Sequence, residues 1–196
     1  MKRISKINRK TSETIIQLSL NLDGEGKSKI TTGIPFFDHM LTLFSRHGLF
    51  DLDVMVKGDI EVDFHHSVED VGICLGQAFQ QAIGDAKGIT RYASGLIPMD
   101  EALCQLAIDM SGRSFLVFNA DFPKSKIGEF DAELVKEFFQ AFTSNAKLTL
   151  HLTLLAGENL HHMAEGCFKA LGIILSQAVR IDPRKANQIP STKGLL

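Results

Sequence analysis

The chain has 196 residues, of which 44% are hydrophobic and 22% charged, and its formal net charge at pH 7 is -2. This composition supplies enough apolar material for one compact domain or two small fused ones, and it excludes an intrinsically disordered chain. A net charge near zero, without a run of like charges, disfavours a long polyanion such as a nucleic acid as the main partner.

The first half of the chain alternates between strand and helix patterns. Residues 13–20 alternate apolar and polar side chains, as a half-buried strand does, and residues 50–56 do the same. Apolar residues recur at helical spacing in 37–44, after a proline suited to a first helical turn, and again in 68–82. With a turn at Asp23-Gly24, these patterns predict a unit of strand, strand, helix, strand and helix.

The second half repeats the first. Sliding the chain on itself aligns the first strand at a shift of 88 residues, the first helix and the next strand at 98, and the last helix at 96. A longer insertion at 119–130 predicts an extra loop. We predict an α+β fold in which a duplicated unit forms mixed sheets, each covered on one face by helices that pack together. The predicted units are residues 1–88 and 89–180, in one compact body, followed by a tail of residues 181–196.

The cysteines and the apolar runs predict a cytoplasmic protein. All three cysteines lie within apolar runs and lack Cys-x-x-Cys spacing, which is typical of buried thiols in a reducing compartment. No apolar stretch approaches the roughly 18 residues that a membrane-spanning helix needs, and the N-terminal residues lack the apolar core of a signal peptide. We therefore expect no membrane partner.

Two histidine pairs give the strongest chemical signal. Each pair opens a predicted helix and is followed three residues later by a glutamate. The two segments are His65-His66-Ser67-Val68-Glu69 and His161-His162-Met163-Ala164-Glu165. Because residues three and four apart share a helix face, each glutamate is expected to meet both of its histidines. One such pair would more often be surface histidines, but two copies in a chain with seven histidines favour two divalent transition-metal ions.

Four segments carry a resemblance to a known family. They are Thr32-Gly33-Ile34-Pro35-Phe36-Phe37-Asp38-His39-Met40-Leu41, Asp63-Phe64-His65-His66-Ser67-Val68-Glu69-Asp70, Asp109-Met110-Ser111-Gly112-Arg113 and Ser191-Thr192-Lys193-Gly194. In this order they resemble the imidazoleglycerol-phosphate dehydratases of histidine biosynthesis. The similarity extends from about Glu13 to Gly194 and so covers nearly the whole chain.

The resemblance implies a lyase that dehydrates D-erythro-imidazole glycerol 3-phosphate to imidazole acetol phosphate with two Mn²⁺ ions per subunit. It also implies a fold like the second domain of ribosomal protein S5 and a 24-subunit assembly with active sites at subunit boundaries. The implied metal ligands match His39, His65, His66, Glu69, His161, His162 and Glu165. Glu137 lies opposite His39 in the repeat, at a position that is a histidine in some family members, and its carboxylate would replace that imidazole.

The implied reaction removes a proton from a carbon that has no adjacent carbonyl, so the imidazole ring must provide the activation. Metal ions that hold the ring as an imidazolate would let its electrons expel the hydroxyl, with Glu69 and Glu165 at the reacting centre. Glu13 resembles a substrate-contacting position of the family and is our candidate general base, with its repeat mate Glu101 as the rival. Asp100, next to Glu101, is a candidate for orienting a ligand imidazole.

The substrate's phosphate requires cations and other donors. The implied phosphate-binding residues are Arg91, Arg113, Ser191, Thr192 and Lys193. The resemblance places His47 near the substrate, and a helix-end cap is the alternative. For His151 we predict a structural or supporting role. The tail is expected to become ordered on binding, because terminal residues are loose unless tied down.

Two other functions stay open at this stage. A non-catalytic metal-binding or metal-buffering protein would use the same ligands, but it has no use for Arg91, Arg113 and Lys193 near cationic metals. A nucleic-acid-binding module on a similar small sheet is disfavoured by the charge balance and by a content of one Tyr and no Trp for base stacking.

Overall fold

The computed structural model describes residues 3–195, which form two four-stranded sheets with four helices packed between them. The elements of the first half are β1 (Ile4–Lys10), β2 (Thr14–Asn21), β3 (Ser28–Thr31), α1 (Pro35–Gly48), β4 (Asp51–Gly58) and α2 (His65–Ile83). Those of the second half are β5 (Tyr92–Met99), β6 (Ala102–Asp109), β7 (Phe115–Asn119), β8 (Lys126–Ile127), β9 (Phe130–Asp131), α3 (Leu134–Ala146), β10 (Thr149–Ala156), α4 (Leu160–Ala178) and a 3-10 helix (Pro183–Lys185).

The two large sheets have the same strand order and the same strand directions. In the order β1-β2-β4-β3, the pairs β1/β2 and β2/β4 are antiparallel and the pair β3/β4 is parallel. The order β5-β6-β10-β7 repeats this arrangement. The predicted α+β fold with duplicated mixed sheets is confirmed. Each large sheet has one strand more than predicted, because β1 and β5 each add an antiparallel outer strand, and the predicted loop of the second half contains the short pair β8/β9.

Alternating burial explains how each sheet contributes to the core. In β2, Ile16, Leu18 and Leu20 are buried under the helices, while the residues between them are exposed or half-buried. The helices add aromatic rings to the same layer, where Phe138 and Phe168 stack with ring centroids 4.8 Å apart. The core therefore lies in the helical layer between the two sheets.

Two glycines at matching positions let helices of different halves approach closely. An added Cβ on Gly76 of α2 would lie 2.6 Å from the carbonyl oxygen of Phe142 in α3, and one on Gly172 of α4 would lie 2.5 Å from that of Phe44 in α1. Their separation of 96 residues is the shift already found for the last helix. Each long helix thus packs on the first helix of the other half, α4 on α1 and α2 on α3.

Two expectations about the environment of the chain can be compared with the structure. Cys74, Cys104 and Cys167 are buried and free, as predicted for structural thiols. None of the helices in residues 3–195 combines the length and apolar character needed to cross a membrane.

Candidate active site

A cluster of potential metal ligands forms where α1 meets α4. Its members are His39 on α1 and His161 and Glu165 on α4, with one donor atom from each lying within 4.8 Å of the others. The Oε1 atom of Glu165 is 2.7 Å from Nε2 of His39 and 3.2 Å from Nε2 of His161. We call this group the α1–α4 cluster. It brings a histidine of the first half to the predicted histidine–glutamate segment of the second.

Glu165 is the buried member of this cluster. Lys169, one turn further along α4, donates a hydrogen bond of 2.5 Å to its Oε2 atom, so that Oε1 is the oxygen that faces the histidines. Burial by itself raises the pKa of Glu165, but hydrogen bonds with Lys169, His39 and His161 outweigh it and lower the pKa to about 2. Glu165 is therefore an anionic oxygen donor at neutral pH.

A second group occupies the matching place where α2 meets α3. His65 and Glu69 lie one turn apart on α2, with Nε2 and Oε2 separated by 4.0 Å. His65 also lines a cavity of about 420 Å³ together with Glu137 of α3. In the repeat, Glu137, His65 and Glu69 correspond to His39, His161 and Glu165. We call this group the α2–α3 cluster, and it is more open, because the side chain of Glu69 is 48% exposed against 9% for Glu165.

The second histidine of each pair points away from its glutamate, so the expectation that each glutamate would meet both histidines was wrong. Nδ1 of His162 lies 2.7 Å from Oε2 of Glu101, and Nδ1 of His66 lies 3.0 Å from Oδ2 of Asp59. Residues four apart stack more directly on a helix than residues three apart, and these external carboxylates hold the rings aside. A carboxylate at Nδ1 fixes the tautomer that leaves the Nε2 lone pair available to a metal.

These carboxylates also change the protonation of the rings. The hydrogen bond with Asp59 raises the pKa of His66, and the hydrogen bond with Glu101 raises the pKa of His162. Asp100, the predicted orienting residue, lies 3.9 Å from Nε2 of His162, whereas its neighbour Glu101 makes the close contact with Nδ1 of that ring.

The two candidates for the general base differ in what they contact. Glu101 accepts hydrogen bonds from the His162 ring and from the backbone N–H of Asn159, at 2.7 and 2.9 Å, and these lower the pKa of Glu101 to about 2. Glu13, immediately before β2, has its Oε1 atom 3.7 Å from Nε2 of His66 and is half exposed. Within residues 3–195, the carboxylate of Glu13 accepts no hydrogen bond, so its oxygens are available to a substrate.

The predicted phosphate-binding residues lie together at another place. They line one open cavity of about 870 Å³ between the start of β5, the end of β6 and the C-terminal tail. The predicted residues in its wall are Arg91, Arg113, Ser191, Thr192 and Lys193. We call it the tail cavity. Neither histidine cluster contributes to its described lining.

The remaining predicted histidines lie apart from the tail cavity. His47 is in the last turn of α1, where partial burial and the nearby charge of Lys169 lower its pKa, so it lies on the side of the α1–α4 cluster. His151 is exposed on the outer face of β10, paired in register with Ala107 and Val117. Its structural or supporting role stays a prediction.

Comparison with known proteins identifies the family. The sequence model of imidazoleglycerol-phosphate dehydratase matches residues 32–175, which include both histidine pairs and both clusters. The chain belongs to the imidazoleglycerol-phosphate dehydratase family. An imidazoleglycerol-phosphate dehydratase of Trichlorobacter lovleyi is 59% identical over 196 residues and covers 100% of both chains. One of Azorhizobium caulinodans is 60% identical over 194 residues, covering 99% of this chain and 98% of the relative.

Solved structures of imidazoleglycerol-phosphate dehydratases agree with this assignment. The enzyme of Staphylococcus aureus superposes with a TM-score of 0.83 at 41% identity, covering 91% of this chain and 99% of that one. The enzyme of Pyrococcus furiosus gives a TM-score of 0.82 at 32% identity, with coverages of 97% and 100%. The chain is accordingly an enzyme of the hydro-lyase class, as its family is.

Two residues at the site of this family member were missed by sequence reasoning. Lys169 stands four residues after Glu165, a Glu–Lys spacing that favours a helical ion pair and would have been a usable signal. Asp59 lies in the loop of residues 59–64 before α2, whereas the loop before α4 has only residues 157–159, so the repeat offered no counterpart.

Proposed function

We propose that the protein dehydrates D-erythro-imidazole glycerol 3-phosphate to imidazole acetol phosphate, using two Mn²⁺ ions per chain. The observation that carries the proposal is the α1–α4 cluster with its repeat counterpart, found in a chain of the dehydratase family. The duplication of the fold supplies two ligand groups of similar composition, and two groups suit two ions.

The donor atoms fit divalent cations of the manganese type. The α1–α4 cluster offers two ring nitrogens and one carboxylate oxygen, and Glu165 is already ionised, so a cation need not displace a proton from it. The α2–α3 cluster offers the ring of His65 and the carboxylates of Glu69 and Glu137. When bound, the ions supply Lewis acidity to the imidazole ring and to the departing hydroxyl of the substrate.

His66 and His162 complete the predicted ligand set from outside their own clusters. Each ring is fixed through Nδ1 by a carboxylate and presents Nε2 in another direction. Manganese takes more donors than the three of one cluster. We therefore assign these two histidines to the clusters of neighbouring chains in an oligomer.

The tail cavity supports the same arrangement. The backbone N–H of Arg91 donates to the carbonyl of Ala178 at the end of α4, thirteen residues after Glu165. At roughly 1.5 Å per helical residue this separation is about 20 Å. A substrate with one ring, three carbons and a phosphate is too short to reach from the α1–α4 cluster to the tail cavity of the same chain. We infer that the phosphate enters the cavity of a neighbouring chain, in a closed assembly for which we propose the 24-mer that the family resemblance implies.

Glu13 is our assignment for the group that moves the substrate's proton. It is half exposed and its carboxylate is available, whereas the carboxylate of Glu101 is held by His162 and Asn159. A general base must be within hydrogen-bond reach of the proton that it removes, and a carboxylate already committed to two donors is a poor one. The position of Glu13 beside His66 puts it next to a predicted metal ligand.

The test is an assay of the purified full chain after chelation and after reloading with Mn²⁺. We expect about two Mn²⁺ per chain, formation of imidazole acetol phosphate by the loaded protein, and loss of that activity in the chelated one. Two bound ions without turnover would support the metal-buffering alternative. Full turnover by the metal-free protein would contradict the proposed role of both clusters.

A further inference from the structure

Asp109 is part of the Asp-Met-Ser-Gly-Arg segment, but neither the metal clusters nor the general base uses it. It lies at the end of β6, where its carboxylate makes a two-point contact with Arg91. Nε of Arg91 donates to Oδ1 at 2.7 Å, and Nη2 donates to Oδ2 at 3.3 Å. Both side chains are mostly shielded from solvent, with exposures of 13% for Arg91 and 22% for Asp109. Such paired contacts fix the plane of a guanidinium group.

The other side of the Arg91 guanidinium holds the C-terminal tail. Nη1 donates a hydrogen bond of 2.7 Å to the carbonyl oxygen of Pro190. After Pro190, the described hydrogen bonds of residues 191–195 stay within the tail, such as Lys193 N–H to Ser191 Oγ at 3.2 Å. Along the described chain, the contact between Arg91 and Pro190 is therefore the last hydrogen bond that joins the C-terminal tail to the rest of the protein.

The backbone of Arg91 is held as firmly as its side chain. Its φ angle of 76° is in the left-handed region, which a residue with a side chain adopts only at a cost. Its N–H donates to Ala178 O at 2.8 Å, and its carbonyl accepts from Met110 N–H at 3.1 Å. The guanidinium carbon also lies 4.6 Å from the centroid of the Tyr92 ring. Arg91 is thus fixed on every side except the one that faces the cavity.

The donor count of Arg91 leaves room for an anion. An arginine has five N–H groups, and the contacts with Asp109 and Pro190 use one on Nε, one on Nη1 and one on Nη2. One N–H remains on each terminal nitrogen. Two such donors suit two oxygens of a phosphate, and the Arg113 side chain lines the same cavity.

We propose that Asp109 is a positioning residue for phosphate binding, acting through Arg91 to hold the tail so that Ser191 and Lys193 face Arg113 across the tail cavity. Asp109 does not contact the substrate in this account. Its carboxylate fixes Arg91, and Arg91 fixes Pro190. The inference rests on the proposed function, because it assumes that the tail cavity receives the substrate's phosphate.

The experiment compares Asp109→Asn with the unchanged full-length protein, loaded with Mn²⁺. We expect KM for the substrate and the inhibition constant of inorganic phosphate to rise about 10- to 100-fold, the range for loss of a charge-assisted paired contact. We expect kcat within about threefold and unchanged metal content, since neither cluster is touched. Amide hydrogen exchange of residues 188–195 should become faster. If Asp109 acted only through its negative charge, the exchange rate of the tail would not change.

The chain offers a matched control in Asp23→Asn. Asp23 makes the same kind of paired contact with Arg3, and Arg3 in turn donates to the carbonyl of Val179, but this group is not part of the tail cavity. This variant should leave KM and phosphate inhibition unchanged. If it raises both as much as Asp109→Asn does, the effect is a general loss of stability and the proposal is overturned.

Arg91→Lys and Arg113→Ala complete the set. Arg91→Lys keeps the positive charge but loses the planar guanidinium that contacts Asp109 and Pro190 together. It should therefore reproduce the higher KM and the faster hydrogen exchange of the tail, even if Asp109→Asn does not fold. Normal values in Arg91→Lys or in Asp109→Asn, with a raised KM in Arg113→Ala, would overturn the role of Asp109 and leave the phosphate site intact. Normal KM in Arg113→Ala and Lys193→Ala as well would remove the phosphate site itself, and with it this part of the proposed function.

Discussion

The α1–α4 and α2–α3 clusters contain related residues but hold them differently. In the first, a buried carboxylate contacts two histidines and a lysine. In the second, Glu69 is half exposed and 4.0 Å from His65, and the position matching Lys169 is Ile73. Each cluster therefore keeps one histidine and one glutamate of the repeated segment, while His39 is matched by Glu137 and the surroundings differ. Contacts within the chain organise the α1–α4 cluster, whereas the α2–α3 cluster is more exposed to solvent.

The largest expected difference is between the two candidate bases. Glu13→Gln should lower kcat about 100- to 10,000-fold, the usual contribution of a general base, with metal content unchanged. Glu101→Gln should retain kcat when Mn²⁺ is saturating, because the role that we assign to Glu101 is to orient His162 rather than to move a proton. Steady-state kinetics at saturating metal would decide between them, and the reverse pattern would make Glu101 the base.

The next largest expected difference is in the stability of the metal-free protein when the glutamate of either cluster is replaced. Glu165→Gln breaks a mostly buried ion pair with Lys169 and should lower the free energy of unfolding by about 3 kcal/mol. Glu69→Gln, at an exposed position, should change it by less than about 0.5 kcal/mol. Chemical denaturation after chelation provides the measurement. In the loaded protein both substitutions should lower metal content and turnover, and normal turnover in both would refute the ligand assignment.

Substitution of the carboxylates that contact Nδ1 of His66 and His162 should have a smaller effect, on Mn²⁺ affinity. Asp59→Asn and Glu101→Gln each remove the acceptor that orients a ligand ring, so we expect Mn²⁺ affinity to fall about 10- to 100-fold. Asp100→Asn serves as the control, since Asp100 lies 3.9 Å from the His162 ring and Glu101 makes the close contact. Metal titration that shows equal affinities for Asp59→Asn and the unchanged protein would exclude Asp59 from this role.

The remaining expected effect is a dependence of stability on pH. The pKa of Glu165 is lowered from 4.5 to about 2 in the folded chain, so its ionisation stabilises the fold fully above pH 4.5. That contribution is lost as the pH falls toward 2. The stability difference between the metal-free protein and Glu165→Gln should therefore shrink over this interval. A difference that stays constant from pH 5 to about pH 2 would argue against the lowered pKa.

The sequence predicted the duplicated fold because apolar periodicity and the two histidine pairs both repeat along the chain. It also predicted that His39 and Glu137 occupy equivalent positions. It did not predict that α4 packs on α1 of the other half, since that pairing depends on contacts at Gly76 and Gly172 that no local pattern specifies. The sequence pattern also predicted that His162 meets Glu165. That prediction used the geometry of one helix alone, whereas the His162 ring contacts Glu101 in the turn between β5 and β6.

Anomalous scattering at the manganese edge, from crystals of the Mn²⁺-loaded protein, tests the central claim most directly. We predict two peaks per chain, one beside Nε2 of His39 and His161 and Oε1 of Glu165, and one beside His65, Glu69 and Glu137. Peaks located away from both groups, or an α1–α4 cluster without a peak in active crystals, would contradict the account.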